Sequence, residues 1–468
     1  MKKKMICIAV CVLICCTALL GCTAGPLDPG NPVTVTLWHN YGGQMKTTMD
    51  ELVDEFNSTV GHEKGIILSV TSISSSATLQ EKLDMAANGD PGAPALPDIT
   101  TCYPKTALNL KENEQLCDLS DQFTEEELSA YVPRFLEEGT IDGDLYVFPI
   151  AKSTEVLFVN QTLFDRFAAE SGVTLEDLST FEGIADAARK YYDWTDAKTP
   201  EVPLDGKAFY AADSLFNLAQ VGMEQIGESL LSGQSLDLST EGYRRIWDFY
   251  FDPAVAGGAA IYDGYSSDLS KTGDIVCSTG STAGILFYGD EITYPDNITE
   301  KVEYTVLPYP VFEGGEKIAI QRGGGMCVTS STPEKEYAAA VFLKWFTAPE
   351  QNMKFVSSTG YLPVTQEAFD NILEEEMDAI ENRNIQKLLM AAATMQREYD
   401  FYIPPTFAGF DEIGDAYEEG LRAKVKTAQA GYKAAVLSGE APEAAFEKAA
   451  DGAQASFTEG FLNTAVRK

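Results

Sequence analysis

Val33-Thr34-Val35-Thr36-Leu37-Trp38 carries the two-residue alternation and β-branching of a half-buried strand. Downstream, Met45, Met49, Leu52, Val53 and Phe56 recur at helical spacing. Ile66 to Val70 reads as a second strand, Leu79 to Ala87 as a second helix, and Pro97-Asp98-Ile99-Thr100 opens a third strand. Strand, helix, strand, helix, strand predicts right-handed crossovers and a parallel sheet covered on both faces. Such sheets bind ligands at the carboxyl ends of their strands. His39-Asn40-Tyr41-Gly42-Gly43 occupies that position after the first strand.

The middle of the chain adds strands near Leu145 to Ile150 and Val156 to Asn160. Helical spacing follows at 163–171, 181–192, 214–226 and 242–251, and Ile275–Cys277 and Ile285–Tyr288 flank a small polar loop. Tyr304 to Leu307 and Met326 to Thr329 read as strands. Glu334 to Phe346 reads as a helix with Pro333 in its first turn. From Asp411 the chain is rich in Ala and Glu and reads as helices packed on the body. No internal repeat is present.

Before the first strand, Lys2, Lys3 and Lys4 precede an apolar run from Met5 to Leu20 that ends in Leu19-Leu20-Gly21-Cys22. A basic start, a short apolar stretch and a small residue before the cut describe a secretory signal. The run is shorter than the ~20 residues a spanning helix needs. Its ending is similar to a bacterial lipobox, which implies that residues 1–21 are removed, that Cys22 is lipidated, and that the protein works outside the cytoplasmic membrane. Residues 22–32, rich in Gly and Pro, then form a flexible tether.

Removing residues 1–21 leaves 447 of 468, more than one core usually holds, so two domains are expected. The remaining part carries 31 basic against 71 acidic residues, a net charge of −40. Such a field repels phosphate backbones and argues against nucleic-acid binding. Cys102, Cys117, Cys277 and Cys327 lack the CxxC spacing of zinc or redox sites. A Cys102–Cys117 bridge and free buried thiols both remain open. The only histidines are His39 and His62, which excludes HExxH and multi-histidine metal sites. There is no phosphate-loop signature, no nucleophile elbow and no dinucleotide fingerprint. No cofactor is expected.

Four segments together resemble the bacterial extracellular solute-binding proteins, family 1, of ABC importers. They are Thr36-Leu37-Trp38-His39 with a helix ending Asp54-Glu55-Phe56-Asn57, then Pro97-Asp98-Ile99, then Phe148 to Asn160 (FPIAKSTEVLFVN), and Thr359-Gly360-Tyr361-Leu362-Pro363. Within the family the chain is most similar to the glycerol-3-phosphate-binding and maltose-binding branch. The resemblance implies an α/β, two-lobed periplasmic-binding-protein-like fold (type II), with lobes joined by hinge strands. It assigns 33–148 and 302–356 to the first lobe and 149–301 and 357–468 to the second. It further implies a monomer that closes on a sugar or oligosaccharide and docks on membrane permease subunits, with no catalysis.

Matching the glycerol-3-phosphate binder puts Ser153, Phe216, Ser281, Gly324 and Tyr361 at ligand-contact positions. Their types fit that role. Serine hydroxyls pair with sugar hydroxyls, glycine admits backbone close to a ligand, and aromatic faces stack on the apolar side of a ring. The relative grips phosphate with an arginine in its C-terminal segment and a glutamate after its third strand. Here those regions read Ile403-Pro-Pro-Thr-Phe-Ala-Gly-Phe410 and Thr101-Cys-Tyr-Pro104, without either group. A neutral sugar is therefore expected, with glycerophosphate held near Arg322 as the alternative. An exported carbohydrate-active enzyme would need two carboxylates flanking the sugar, and no spacing singles out such a pair. A surface sensor or adhesin on the same fold is a further alternative.

Overall fold

The structure, a computed structural model, describes residues 26–465 apart from 373–376 and 378–379. The expected signal segment and Cys22 lie outside the described residues. Two mixed sheets organise the chain. Their strands, in chain order, are β1 (Val33–His39), β2 (Ile66–Ser72), β3 (Ile99–Cys102), β4 (Phe148–Pro149), β5 (Glu155–Asn160), β6 (Tyr210–Ala212), β7 (Ala259–Ala260), β8 (Cys277–Ser281), β9 (Tyr304–Leu307) and β10 (Gly325–Val328). The helices used below are α1 (Gly43–Ser58), α2 (Ser76–Asn88), α3 (Pro104–Glu112), α4 (Pro133–Gly139), α5 (Leu215–Gln225), α6 (Pro333–Phe346), α7 (Pro349–Thr359) and α8 (Phe410–Leu437).

The first sheet has the order β2-β1-β3-β10-β4. β1 runs parallel to β2 and β3, as the alternation of strands and helices predicts. β10 departs from that expectation and pairs antiparallel with β3. It reaches this sheet from the other lobe, so no helical crossover dictates its direction. Val35, Leu37 and His39 face inward on β1, against the Met49, Leu52, Val53 and Phe56 face of α1. Asp98 explains the Pro97-Asp98-Ile99 segment. Its buried carboxylate accepts from the Thr36 amide (2.8 Å), the Thr36 hydroxyl (2.9 Å) and Lys335 Nζ (3.0 Å), tying β1 and α6 to the start of β3.

The second sheet has the order β7-β6-β8-β5-β9. β7, β6 and β8 are mutually parallel, and β5 runs against β8 and β9. The stretch read as a small polar loop after Cys277 is in fact β8 followed by a 3-10 turn over Thr282–Phe287. Two of the strand's hydroxyls are satisfied inside the sheet: Thr279 pairs with the Tyr210 hydroxyl (2.7 Å) and Ser278 with that of Tyr288 (2.9 Å). Buried polar strand residues are stable on that condition. Tyr304–Leu307, expected with the first lobe, is hydrogen-bonded to β5 in this second sheet.

Crossing segments lie side by side between the sheets. Ile150–Thr154 leads from β4 to β5, and Gln321–Gly324 leads into β10. Lys152 exchanges backbone hydrogen bonds with Leu362 (3.1 and 2.6 Å), and Ser153 does so with Arg322 (2.9 and 2.7 Å). Buried Asn352 on α7 donates to the Ile150 carbonyl (2.6 Å) and accepts from the Val364 amide (3.0 Å). The two halves of the molecule thus meet at crossing segments joined by isolated two-way backbone bridges.

Candidate ligand-binding cleft

The strand ends that face these crossing segments place the site. β3 ends at Cys102 and hands Tyr103-Pro104-Lys105 to the cleft, with Pro104 pre-set for the first turn of α3. From the second sheet come the start of β5 and the ends of β6 and β8. Glu155 and Ser281 are partners across β5 and β8.

Three cations stand around the cleft, and each meets a carboxylate. Glu155 is 1% exposed and accepts from Arg322 Nη1 (3.0 Å) and Asn217 Nδ2 (2.8 Å). Burial pushes its carboxyl above the usual range, while Arg322 and Asn217 pull it back. Lys152, also buried, pairs with Glu138 of α4 (3.1 Å) and donates to the Gly323 carbonyl (3.2 Å). Burial holds its ammonium below the normal lysine range. Lys105 at the head of α3 pairs with Asp411 at the head of α8, across the rim. Asp213, after β6, takes the Ser266 amide and hydroxyl on Oδ1 (2.7 Å each). Its Oδ2 occupies the space that a side chain at Gly280 would need.

Aromatic rings border the charges. Tyr41 follows β1, stacks with His39 (5.4 Å) and meets Phe355 at a tilt (5.3 Å), and Phe355 stacks with Tyr361 (6.2 Å). Burial raises the Tyr361 phenol far above its ordinary range, with Tyr103 and Arg322 close enough to act on it. On the other side a cavity of about 270 Å³ lies between Tyr103, Lys105, Asn217, Arg322 and the Pro404–Phe410 wall. That is slightly below the ~300–1,000 Å³ of typical small-molecule sites. Among the described residues no cluster of His, Cys, Asp and Glu is arranged to hold a metal ion.

The expected contact residues fall into two groups. Tyr361, Ser281 and Ser153 gather around the Glu155–Arg322 pair. The turn at Gly360, just before Tyr361, packs on the 3-10 turn that follows Ser281, where an added Cβ would sit 2.8 Å from the Thr282 carbonyl. Ser153 is buried and bonded through its backbone to Arg322. Gly324 has a packing reason to be glycine, because a Cβ would lie 2.7 Å from the Cys102 carbonyl. Phe216 is buried between Phe410 (5.5 Å) and Tyr417 (5.6 Å), so its ring faces are covered by α8. Phe410, in front of it, is the ring that reaches the cavity. Sequence reasoning missed Glu155, Asn217, Asp213 and Tyr103. The available signal for Glu155 was an acid opening an otherwise apolar strand. Cys102 and Cys117 are free buried thiols here.

The chain is similar in fold to several solved structures. The cyclic alpha-maltosyl-1,6-maltose binding protein from Arthrobacter globiformis aligns at 20% identity, covering 92% of this chain and 100% of that one, with a TM-score of 0.67. UgpB from Mycobacterium tuberculosis, solved with glycerophosphocholine, aligns at 16% identity over 93% and 100%, with a TM-score of 0.66. An ABC substrate-binding protein from Listeria monocytogenes, solved with cycloalternan, aligns at 19% identity over 92% and 100%, with a TM-score of 0.63. At these identities the likeness speaks for the two-lobed fold. No curated protein matches the sequence. The profile of the bacterial extracellular solute-binding proteins matches residues 51–382, most of the chain, and this protein belongs to that family.

Proposed function

We propose that this protein captures a neutral sugar or oligosaccharide between its lobes and delivers it to the permease of an ABC importer, as a monomer and without catalysis. The observation that carries the reading is the pairing of charge in the cleft. Arg322, Lys152 and Lys105, the cations described around the cleft, each already face a carboxylate, so a buried phosphate dianion would have to share its cation with a competing acid. What remains is a set of hydroxyl-matching donors and acceptors beside tyrosine faces, the surface a pyranose ring needs. Ser153, Ser281 and Tyr361 are the proposed contacts, joined by Arg322, Asn217, Asp213 and Tyr103. Gly324 acts by letting β10 close against β3. The proteins from Arthrobacter and Listeria support a saccharide, since they are described with cyclic alpha-maltosyl-1,6-maltose and with cycloalternan.

A second reading is a glycerophosphate or glycerophosphodiester. The Mycobacterium neighbour favours it, and so does the grouping of Tyr41, Tyr103 and Tyr361, whose faces suit a quaternary ammonium. A thermal-shift panel of saccharides, glycerol-3-phosphate and glycerophosphocholine separates the two. A ligand at a hundred times its dissociation constant adds about 2.7 kcal/mol of stability. Melting shifts confined to the glycerophosphates would replace the first reading by the second.

Outside the membrane, we place the protein on a lipid carried by Cys22, with 22–32 as tether. Cys22→Ala should release it from the membrane fraction into the medium, and retention of the variant would refute the anchor. For the lobes we propose 33–148 with a later segment inside 302–356, and 149–301 with 357–468, with β9 counted in the second.

A further inference from the structure

We propose that Gln321 is a specificity-determining residue of the cleft, its side-chain oxygen set to accept a hydrogen bond from one hydroxyl of the ligand. This rests on the carbohydrate reading above. Gln321 begins the crossing segment that leads into β10, and its backbone N–H donates to the Tyr402 carbonyl (2.8 Å), which fixes its main chain. The residue is only 2% exposed and belongs to the lining of the cavity bounded by the Pro404–Phe410 wall. Its Nε2 donates to the Arg134 carbonyl (3.1 Å) and to the carboxylate of Glu138. Both partners are acceptors, and Glu138 is itself held by Lys152 (3.1 Å), so turning the amide over would set oxygen against oxygen. That leaves Oε1 fixed in place, buried, and without a hydrogen-bond partner among the described residues.

A buried acceptor with nothing to accept from is costly, so a group seated beside Oε1 must bring a donor. Phosphate, carboxylate, ether and methoxy oxygens bring only lone pairs. An ammonium brings protons, but Arg322 lines the same cavity and is 37% exposed, so the ammonium would meet a like charge. A hydroxyl suits both neighbours at once. It donates its proton to Oε1 and accepts from Arg322, whose Nη1 is bonded to Glu155 and which keeps further N–H donors. Solvent can fill the place while the cleft is empty, and a ligand that displaces it without offering a hydroxyl loses that bond. The discrimination differs from that of the ion pairs, because it acts between positions on one neutral sugar as well as against anions.

The test is calorimetric titration of the mature protein with glucose, galactose, mannose, xylose, maltose and cellobiose, then with single-position deoxy and O-methyl analogues of the tightest binder. One position should stand out, its deoxy analogue binding about ten-fold or more weakly and its O-methyl analogue at least as weakly. Gln321→Met removes the acceptor at similar volume and should weaken the parent sugar. In that variant the penalty at the marked position should fall below about two-fold, while penalties at other positions persist. A merely structural effect would weaken parent and analogues in parallel. Gln321→Asn keeps the amide but draws its oxygen back, so it should show an intermediate penalty, and it decides the matter if ligand-free melting finds Gln321→Met unfolded. Two results would overturn the assignment while the carbohydrate reading stands: no position costing the native protein more than about three-fold, or a marked penalty that the folded variants leave unchanged. Failure of all these sugars to bind would overturn the carbohydrate reading and this inference together.

Discussion

Replacing Glu155 by Gln keeps the side chain's shape and its acceptor for Asn217 and Arg322, but deletes one negative charge from the floor of the cleft. The Arg322–Glu155 contact is 3.0 Å, so the charge centres lie about 4 Å apart. At an effective dielectric of about 20 their attraction is about 4 kcal/mol. Arg322 is 37% exposed, and water screening brings a working figure down to ~1–2 kcal/mol. In the native site an anion seated on the free edge of Arg322 is drawn by the guanidinium and pushed away by Glu155. Its distance from Glu155, across the guanidinium, is about twice as long, so without Glu155 it regains about half of that figure, ~0.5–1 kcal/mol or about 2- to 5-fold in affinity. Neutral sugars should change by less than about three-fold, since they sense only the hydrogen-bond geometry.

Stability should move little. The lost attraction is offset by no longer burying a carboxylate whose ionisation burial already resists. The sign with pH follows from the same shift. A carboxyl raised in the folded state costs stability while ionised and regains it as pH falls, so the native protein should approach the variant in acid. Calorimetry with glycerol-3-phosphate and a neutral saccharide, at 50 and 200 mM salt, reads the outcome. Two results refute the reasoning: a folded Glu155→Gln protein that gains nothing for glycerol-3-phosphate, or a native protein that already prefers glycerol-3-phosphate to every saccharide.

Tyr361→Ala should weaken saccharide binding about ten-fold or more by removing a ring face, with little change in ligand-free melting because the residue is only half-buried. Gly324→Ala should instead destabilise the fold by about 1–3 kcal/mol in urea titration, since its Cβ collides with the Cys102 carbonyl. Lys105→Met should raise dissociation rates less than about five-fold, and less still at high salt, as befits an exposed pair. His39 gives a pH signature. Burial lowers its pKa to about 4 from 6.5, so the unfolded chain takes up a proton between those values that the folded chain refuses. Stability should therefore drop by up to about 3 kcal/mol from pH 6.5 to 4 on its account. His39→Asn should remove that slope. Asp252, raised to about 7, titrates in the opposite sense and cancels when the two proteins are subtracted.

The first lobe's framework was legible because its signals are local. Alternation in β1 and the Met49–Phe56 face of α1 each fall within one element and decide their own structure. β8 escaped because its serines and threonines look like loop until Tyr210 and Tyr288 are brought alongside. β6 escaped because three residues carry no period. Tyr361, Ser281 and Ser153 came from a family likeness, and the residues around them could come only from topology. Glu155 and Arg322 are 167 positions apart, and Lys105 and Asp411 are separated by 306. Phe216 shows the opposite failure. A type that suits stacking sits one residue from the cleft-facing Asn217, and helix α8 covers it.

Ion pairs at the crossing segments are not the cheapest way to hold two lobes together. Well-packed apolar residues of similar volume are often at least as stable as a buried pair. What the pairs add is direction. Lys152 donates at once to Glu138 of the first lobe and to the Gly323 carbonyl of the neighbouring crossing segment, while Arg322 reaches Glu155 at the head of the second sheet. Sliding one segment past its neighbour would strand a buried charge, at several kcal/mol. Bending about the backbone bridges would keep Lys152, Arg322 and Glu155 close to their partners, because each sits at or within two residues of the Lys152–Leu362 and Ser153–Arg322 bonds. These contacts therefore favour opening and closing over sliding. The outlying Lys105–Asp411 contact, exposed and weak, is the pair that such an opening would break.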